Sequence, residues 1–304
     1  MKSPKISVLM PAYNVEKYIS DAIKSVLEQT FVDFELIIIN DSSNDKTAEI
    51  INCWVNRDER IVYLENEKNL GIARTLNKAL ELAKGEYIIR MDSDDISLPN
   101  RFEVLLHEIN KRNVNILGSS TLTINESGHV TGGYNAIEEH KDLVKTCKYS
   151  TPILHIWICK KSLYDKVGGY RFAPVEDYDF LLRCIKSGYK LGNIPQALYQ
   201  VRIRTGNTVD LYGYKQLRAF EIAYKAYSNG TELPNEVSDG YCGNIHRNLY
   251  GYSHSLFVFG SKLYNKNYKV SASVFFILSG LISTYQFRYL LRRIRLNIYK
   301  RFKI

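Results

Sequence analysis

From Lys5 to Met91 the chain alternates short aliphatic runs with stretches that are apolar at every third or fourth position. The runs "KISVLMPAY", "FELIIIN", "RIVYLE" and "EYIIRM" have the length and continuous apolar character of strands covered on both faces. Between them, "VEKYISDAIKSVLEQ" aligns Tyr18, Ile19, Ala22, Ile23, Val26 and Leu27 on one helical stripe. The stretch "GIARTLNKALELAKG" repeats the pattern with Ile72, Leu76, Ala79, Leu80 and Ala83 before Gly85 ends it. Four such β-α repeats predict a parallel α/β sheet flanked by helices. A further helix is expected over 98–112, with Ser97 as its N-cap and Pro99 in its first turn.

After residue 113 the pattern changes. "NVNILGSSTLTI" and "HIWICKK" read as strands, with a hairpin expected at "NESGHV" and a tight turn at "GGY", 168–170. "VEDYDFLLRCIKSG" reads as a helix whose apolar face is Phe180, Leu181, Cys184 and Ile185, stopped by Gly188 and opened by Glu176 and Asp177. Beyond "LYQVRIRTGNTV" helices resume to residue 302, dividing the chain into a 1–210 domain and a 211–304 helical region. Within the latter, "VSASVFFILSGLISTY" is shorter than the roughly 20 apolar residues of a spanning helix, which leaves a buried helix or a membrane-inserted one.

The net charge of +9 is unevenly placed. No Asp or Glu follows Asp239, whereas eleven Lys and Arg do, so the preceding 239 residues carry a formal charge of −2. The segment "QFRYLLRRIRLNIYKRFKI" interleaves those cations with Phe287, Leu290, Leu291, Ile294, Leu296, Ile298 and Phe302, the composition of an interfacial helix on an anionic membrane. A cationic helix packed on its own domain accounts for the same pattern. The slightly acidic remainder argues against nucleic acid as a partner. Five scattered cysteines without a C-x-x-C pair argue against a disulfide framework and a structural zinc site, and fit a reducing cytosol. Lys2 and Lys5 lead straight into a short apolar run that lacks the form of a signal peptide.

The chemistry begins at "RMDSDD", where Asp92, Asp94 and Asp95 crowd behind a strand. That position is the carboxyl edge of a parallel sheet, where open α/β sheets bind ligands. Mg²⁺ or Mn²⁺ with a bound diphosphate is the natural counter-charge, although an isolated D-x-D is also a common solvated turn or helix cap. Asp41 ends "FELIIIN" at the same edge, ahead of the capping residues Ser43, Asn44 and Asp45, and a carboxylate there can accept the imide N–H of uracil. His155 in "TPILHIWICKK" is, as a lone histidine beside a buried strand, more often a hydrogen-bonded structural residue than a ligand.

Taken in order, "SVLMPAYN", "NDSSNDKT", "NLGIARTLNKALELAKGEYIIRMDSDD" and "EDYDFLLR" resemble the inverting glycosyltransferases of family 2 over residues 4–205. The resemblance implies a GT-A fold, which is Rossmann-like, with a mixed but mostly parallel central sheet, here followed by a C-terminal helical extension. It implies that Pro11, Ala12 and Tyr13 frame the nucleotide, Asp41 reads the base and Arg74 approaches uracil or phosphate. Asp92 then holds the ribose or the metal shell with Ser93 beside it, Asp94 holds Mn²⁺ or Mg²⁺, and Asp177 is the general base. Where the family often has Tyr-Arg-x-His, this chain reads Tyr199-Gln200-Val201-Arg202, so Arg202 or Arg204 is expected to contact the diphosphate. Stabilising a helix start is a good account of Glu176 or of Asp177 taken alone, whereas capping does not explain Asp41.

The expected activity is transfer of a hexose from a UDP-sugar to a saccharide hydroxyl, the acceptor being an undecaprenyl-diphosphate-linked saccharide in O-antigen or capsule synthesis. The expected place is the cytoplasmic side of the membrane, with peripheral attachment through the tail. The alternative is a non-catalytic carbohydrate- or nucleotide-binding protein of GT-A-like fold. No G-x-x-x-x-G-K-[ST] or G-x-G-x-x-G occurs, and the N-terminal loop lacks the glycines and basic residue of sugar nucleotidyltransferases.

Overall fold

The computed structural model describes residues 3–204, 208–234, 237, 243–265 and 267–303. Lys2 and Asp239, named above, lie outside the described residues, as do Cys242 of the five cysteines and Lys266 of the eleven cations. The chain forms two compact units, one of residues 1–145 and 151–205 and one of residues 146–150 and 206–304.

The first unit opens as its periodicity predicts: β1 (Ile6–Ala12), α1 (Ile19–Leu27), β2 (Phe34–Asn40), α2 (Thr47–Val55), β3 (Ile61–Glu65), α3 (Ile72–Leu82) and β4 (Tyr87–Arg90). These four strands are parallel in the order β3-β2-β1-β4. Alternate strand residues serve opposite faces. Val8, Met10, Leu36 and Ile38 pack with Ile19, Ile23, Phe102 and Leu105 on one side. Leu9, Ile37, Ile39 and Ile88 pack with Leu76, Leu80, Phe180 and Leu181 on the other.

Next come β5 (Ile96–Ser97), α4 (Arg101–Arg112), β6 (Ile116–Ile124), β7 (Val130–Tyr134), α5 (His140–Thr146), β8 (Ile158–Lys160), α6 (Lys161–Val167), α7 (Glu176–Lys186) and β9 (Leu191–Arg202). The sheet continues from β4 through antiparallel β8, then β6, then β9 parallel to β6, and ends at β5, with β7 paired to β6 across the expected hairpin. This change of direction beside β4 places a topological switch where the aspartates emerge.

One helix start differs from expectation. Ser97 lies in β5 opposite Tyr199, and Leu98 N–H donates to the Leu198 carbonyl at 3.0 Å, so α4 cannot begin before Arg101. The side chain of Gln29 takes over the cap: it accepts from Phe102 N–H at 3.1 Å and donates to the Leu98 carbonyl at 2.7 Å.

The second unit contains α8 (Thr208–Asn229), α9 (Gly243–Asn265), α10 (Lys269–Ile282) and α11 (Thr284–Phe302). Ser283 caps α11 by accepting from Gln286 N–H. Helix α10 is not buried throughout: Val270, Val274, Ile277 and Leu281 form one outward face, 83%, 50%, 64% and 77% exposed. The face falls at i, i+4, i+7 and i+11, so the unbroken apolar run hid a helix with two differently used sides. Its other side packs on α9, where Ser253 Oγ donates to the Ser279 carbonyl at 2.6 Å. Among the described residues no helix is long and apolar enough to cross a membrane. Cys53, Cys147, Cys159 and Cys184 are free thiols.

Candidate active site

Strand β4 delivers its last residue, Arg90, and the following Asp92 to the carboxyl edge of the sheet. The buried Arg90 donates from Nε to Asp92 Oδ1 at 3.1 Å and from Nη1 to Glu176 Oε1 at 3.3 Å, joining the aspartate loop to the first turn of α7. Asp177, next in that turn, is half-buried and accepts from Tyr178 N–H at 2.7 Å. Beneath the turn, Phe180 stacks on Trp157 and Tyr164, which fixes α7 against the segment that carries His155.

Each aspartate of the cluster meets a different positive or donating group. Asp92 lies 3.0 Å from His155 Nε2 besides its bond to Arg90, and its main-chain N–H donates to the Tyr199 hydroxyl at 3.0 Å. Asp94 accepts from Arg204 Nε at 2.7 Å. Asp95, only 3% exposed, accepts from Arg202 N–H at 2.7 Å. Under them lies Arg101, fully buried, whose Nη2 donates to the carbonyls of Arg90 and Ile156 at 2.8 Å each and whose guanidinium covers the Tyr199 ring. The ends of β4 and of the His155 segment are thus tied to one cation.

The electrostatics follow from these neighbours. Burial works against the charge on Asp92, but Arg90 and His155 outweigh it and hold the carboxyl well below the usual range. Burial, then the fields of Asp94 and Asp92, pushes Asp95 up to about 8. Burial disfavours the His155 imidazolium, yet Asp92 opposite raises its pKa. Glu176 is raised by burial in spite of Arg90.

The other expected residues spread along the same edge. Pro11 and Ala12 are buried at the end of β1, and Tyr13 beyond them is 45% exposed. Asp41 is buried and accepts from Asn66 Nδ2 at 2.7 Å and from the N–H groups of Leu70 and Gly71 at 2.9 Å each. Gly71 has φ +80, which lets the two successive amides converge on that carboxylate. Arg74 is exposed in the first turn of α3, and Ser93 is buried. Arg202 differs from the expected phosphate contact: it is 6% exposed and donates to the carbonyls of Asp94, Asn125 and Glu126, clamping the loop to the β6-β7 hairpin.

With this geometry in hand, comparison with known proteins is direct. The profile of "Glycosyl transferase family 2" matches residues 7–168, which include the aspartate loop and His155. The chain belongs to this family. An uncharacterized glycosyltransferase of Methanocaldococcus jannaschii is 32% identical over 256 residues, covering 81% of this chain and 84% of that protein. S. aureus TarS 1–349 in complex with UDP-GlcNAc shares the fold at a TM-score of 0.58 and 18% identity, over 98% of this chain and 91% of that one. A Pyrobaculum calidifontis mannosyltransferase in complex with GDP-Man and Mn²⁺ does so at 0.61 and 15%, over 97% and 87%. The GT-A-like fold of a family-2 glycosyltransferase, with a mixed central sheet and a C-terminal helical extension, is therefore established for this chain.

Among the described residues of this family-2 glycosyltransferase, one group of side chains is able to coordinate a divalent ion. Asp92, Asp95 and His155 offer two carboxylate oxygens and an imidazole nitrogen, all within 4.8 Å of one another. His155 Nε2 supplies the test of fit: it is buried and has no hydrogen-bond partner, being close to Asp92 without the alignment of a bond. An oxygen-rich set with one imidazole suits Mn²⁺ better than Mg²⁺. Asp94, the ligand expected from the sequence, stands outside this trio, on Arg204. His155 was the residue that sequence reasoning set aside, because an isolated histidine among apolar neighbours shows no ligand spacing.

Proposed function

We propose that this chain is an inverting hexosyltransferase that uses a UDP-sugar and a divalent ion to extend a saccharide carried on a lipid diphosphate, in the synthesis of a surface polysaccharide such as O-antigen or capsule. The observation that carries the reading is the Arg90 bridge, which makes Asp92 and the Glu176-Asp177 turn one electrostatic unit at the sheet edge. Asp177 takes the proton of the acceptor hydroxyl as its oxygen bonds to the anomeric carbon and the bond to the departing UDP breaks. Glu176 beside it is committed to Arg90, so Asp177 is the carboxylate of that turn left for the acceptor. An ion held by Asp92, Asp95 and His155 would offset the charge gathering on the diphosphate.

On the nucleotide side, Pro11, Ala12 and Tyr13 frame the base and the Tyr13 ring is exposed to stack on it. Asp41 Oδ2 accepts one bond where a carboxylate oxygen can accept two, leaving room for an imide N–H. Exposed Arg74 reaches the phosphates, and Ser93 with Asp92 lines the ribose. Asp94 would add a carboxylate to the residues holding the ion if Arg204 were drawn to the diphosphate, and Arg202 acts by holding that loop. UDP is supported by the UDP-GlcNAc complex of TarS, a fold relative, while the GDP-Man complex of the other keeps GDP in the test.

Peripheral attachment to the inner face of an anionic membrane is supported by the second unit. Most of the exposed large hydrophobic side chains among the described residues lie there, on a segment without acids after Asp239.

The deciding experiment is nucleotide release from UDP-, GDP- and dTDP-sugars, with Mn²⁺ or EDTA, by wild type, Asp92→Asn and Asp177→Asn. Slow, metal-dependent hydrolysis of a UDP-sugar that Asp92→Asn reduces at least about a hundredfold supports the reading. A GDP-sugar as sole substrate overturns the donor assignment. Absence of metal-dependent release from every donor overturns the activity.

A further inference from the structure

Helix α11 places Arg288, Arg292 and Arg295 at i, i+4 and i+7, on one face. Opposite them α8 presents Phe220, Glu221 and Tyr224, and Lys148 of the 146–150 segment in the same unit closes the wall. Together they line an open cavity of about 270 Å³, at the small end of ligand pockets. Its charge is unbalanced. Glu221 is the one acid in the wall, and its two oxygens are divided between Arg288 and Arg292, each at 3.1 Å. Four cations around one carboxylate leave three positive charges in excess.

The site is also shaped. Arg292, 13% exposed, lies over the Phe220 ring at 4.8 Å, so its guanidinium plane is held before any ligand arrives. A fixed guanidinium fork beside two further arginines suits a phosphate, whose three or more oxygens can each accept from a different cation, whereas a carboxylate offers two and chloride a single atom.

We propose that this cavity is a phosphate-binding site for a phosphate monoester or diphosphate group, built from residues that have no part in the transfer chemistry. The group can belong to a lipid headgroup or to a soluble phosphate, and the exposed Phe287, Ile294 and Ile298 on the same helix favour the lipid. The proposal does not rest on the donor or acceptor chemistry above.

The test is calorimetric titration of the full chain with inorganic pyrophosphate in EDTA, for wild type and Arg288→Gln/Arg295→Gln. A parallel assay measures sedimentation with phosphatidylcholine vesicles, with and without phosphatidic acid. Lys148→Gln, at an exposed position, is the second variant should the double one fail to fold. The expected result is pyrophosphate binding by wild type and at least about tenfold weaker binding by the double variant, with donor hydrolysis unchanged. Sedimentation that needs phosphatidic acid, is displaced by pyrophosphate and is lost in the variant assigns the lipid source. Pyrophosphate binding lost in the variant, with vesicle binding unaffected, assigns the soluble one. Equal pyrophosphate affinity in wild type and variants, or no binding by wild type, overturns the proposal.

Discussion

Replacing Arg90 by methionine keeps the unbranched stem of the side chain and removes the guanidinium that Asp92 and Glu176 share. Arg90 and Glu176 are only 6% and 7% exposed, so Glu176 cannot recover water, whereas Asp92 at 25% keeps His155 and some solvent. Breaking a buried ion pair from one side costs about 3–5 kcal/mol. Glu176 moderates the loss because burial has already raised its pKa and it can take a proton. For a unit of this size, where each kcal/mol moves Tm by about 2–4 °C, the expected fall near pH 7.5 is about 6–20 °C. The pH dependence has a definite sign. In wild type the depressed Asp92 contributes stability that is present above the unfolded value of about 3.9 and lost as pH falls through the lower folded value. In the variant Glu176 binds its proton more tightly folded than unfolded, so stability is lost as pH rises from about 4 toward the raised folded value. The gap between the two proteins therefore narrows from pH 7.5 to pH 5. Thermal unfolding at both pH values reads it, with Glu176→Gln completing a cycle whose coupling is expected at about 1–3 kcal/mol. A deficit under about 1 kcal/mol, or a gap that widens at pH 5, refutes the bridge as the organising contact.

Four further outcomes are expected. His155→Ala should weaken Mn²⁺ binding at least about tenfold by calorimetry with little change in Tm, and unchanged affinity would remove the imidazole from the donor set. Because Asp95 is pushed up to about 8, Mn²⁺ added at pH 7 should release more proton from wild type than from Asp95→Asn, seen with an indicator dye and the difference fading by about pH 9; equal release would mean Asp95 is already ionised. Gly71→Ala at φ +80 should cost about 1–2 kcal/mol and loosen the amides on Asp41, so an unaltered Tm would count against that strain. Ile277→Asp with Leu281→Asp should abolish flotation on anionic vesicles without affecting donor hydrolysis, and retained flotation would place the membrane contact elsewhere.

The parallel half of the sheet was legible because each strand is apolar throughout and each helix striped, two periods that do not mimic one another. The mixed half was harder. Strand β9 contains Pro195, Gln196 and Gln200, and its pairing with β6 and β5 is specified by residues about 75 and 100 positions away rather than by its own pattern. The start of α4 was misread for the same reason, since Ser97 is a good local cap until a distant strand claims its backbone.

The acids of the site were visible because Asp92, Asp94 and Asp95 are adjacent in sequence, and adjacency is what sequence displays. What makes them tolerable is not adjacent to them: Arg204, Arg202 and His155 arrive from other strands and segments, and only Arg90 is local. Their arrangement explains why three carboxylates survive together. One is held ionised by Arg90, one is neutralised by Arg204, and the most buried is driven toward its protonated form, so the cluster carries less charge than its sequence implies. Such a site is stable without an ion and still responsive to one, because a divalent cation can displace the proton on Asp95 and meet the His155 nitrogen, which lies beside Asp92 without a hydrogen-bond partner. Three asparagines would remove the repulsion, but they would also take the Asp92 and Asp94 carboxylates from Arg90 and Arg204 and leave the loop nothing with which to bind an ion.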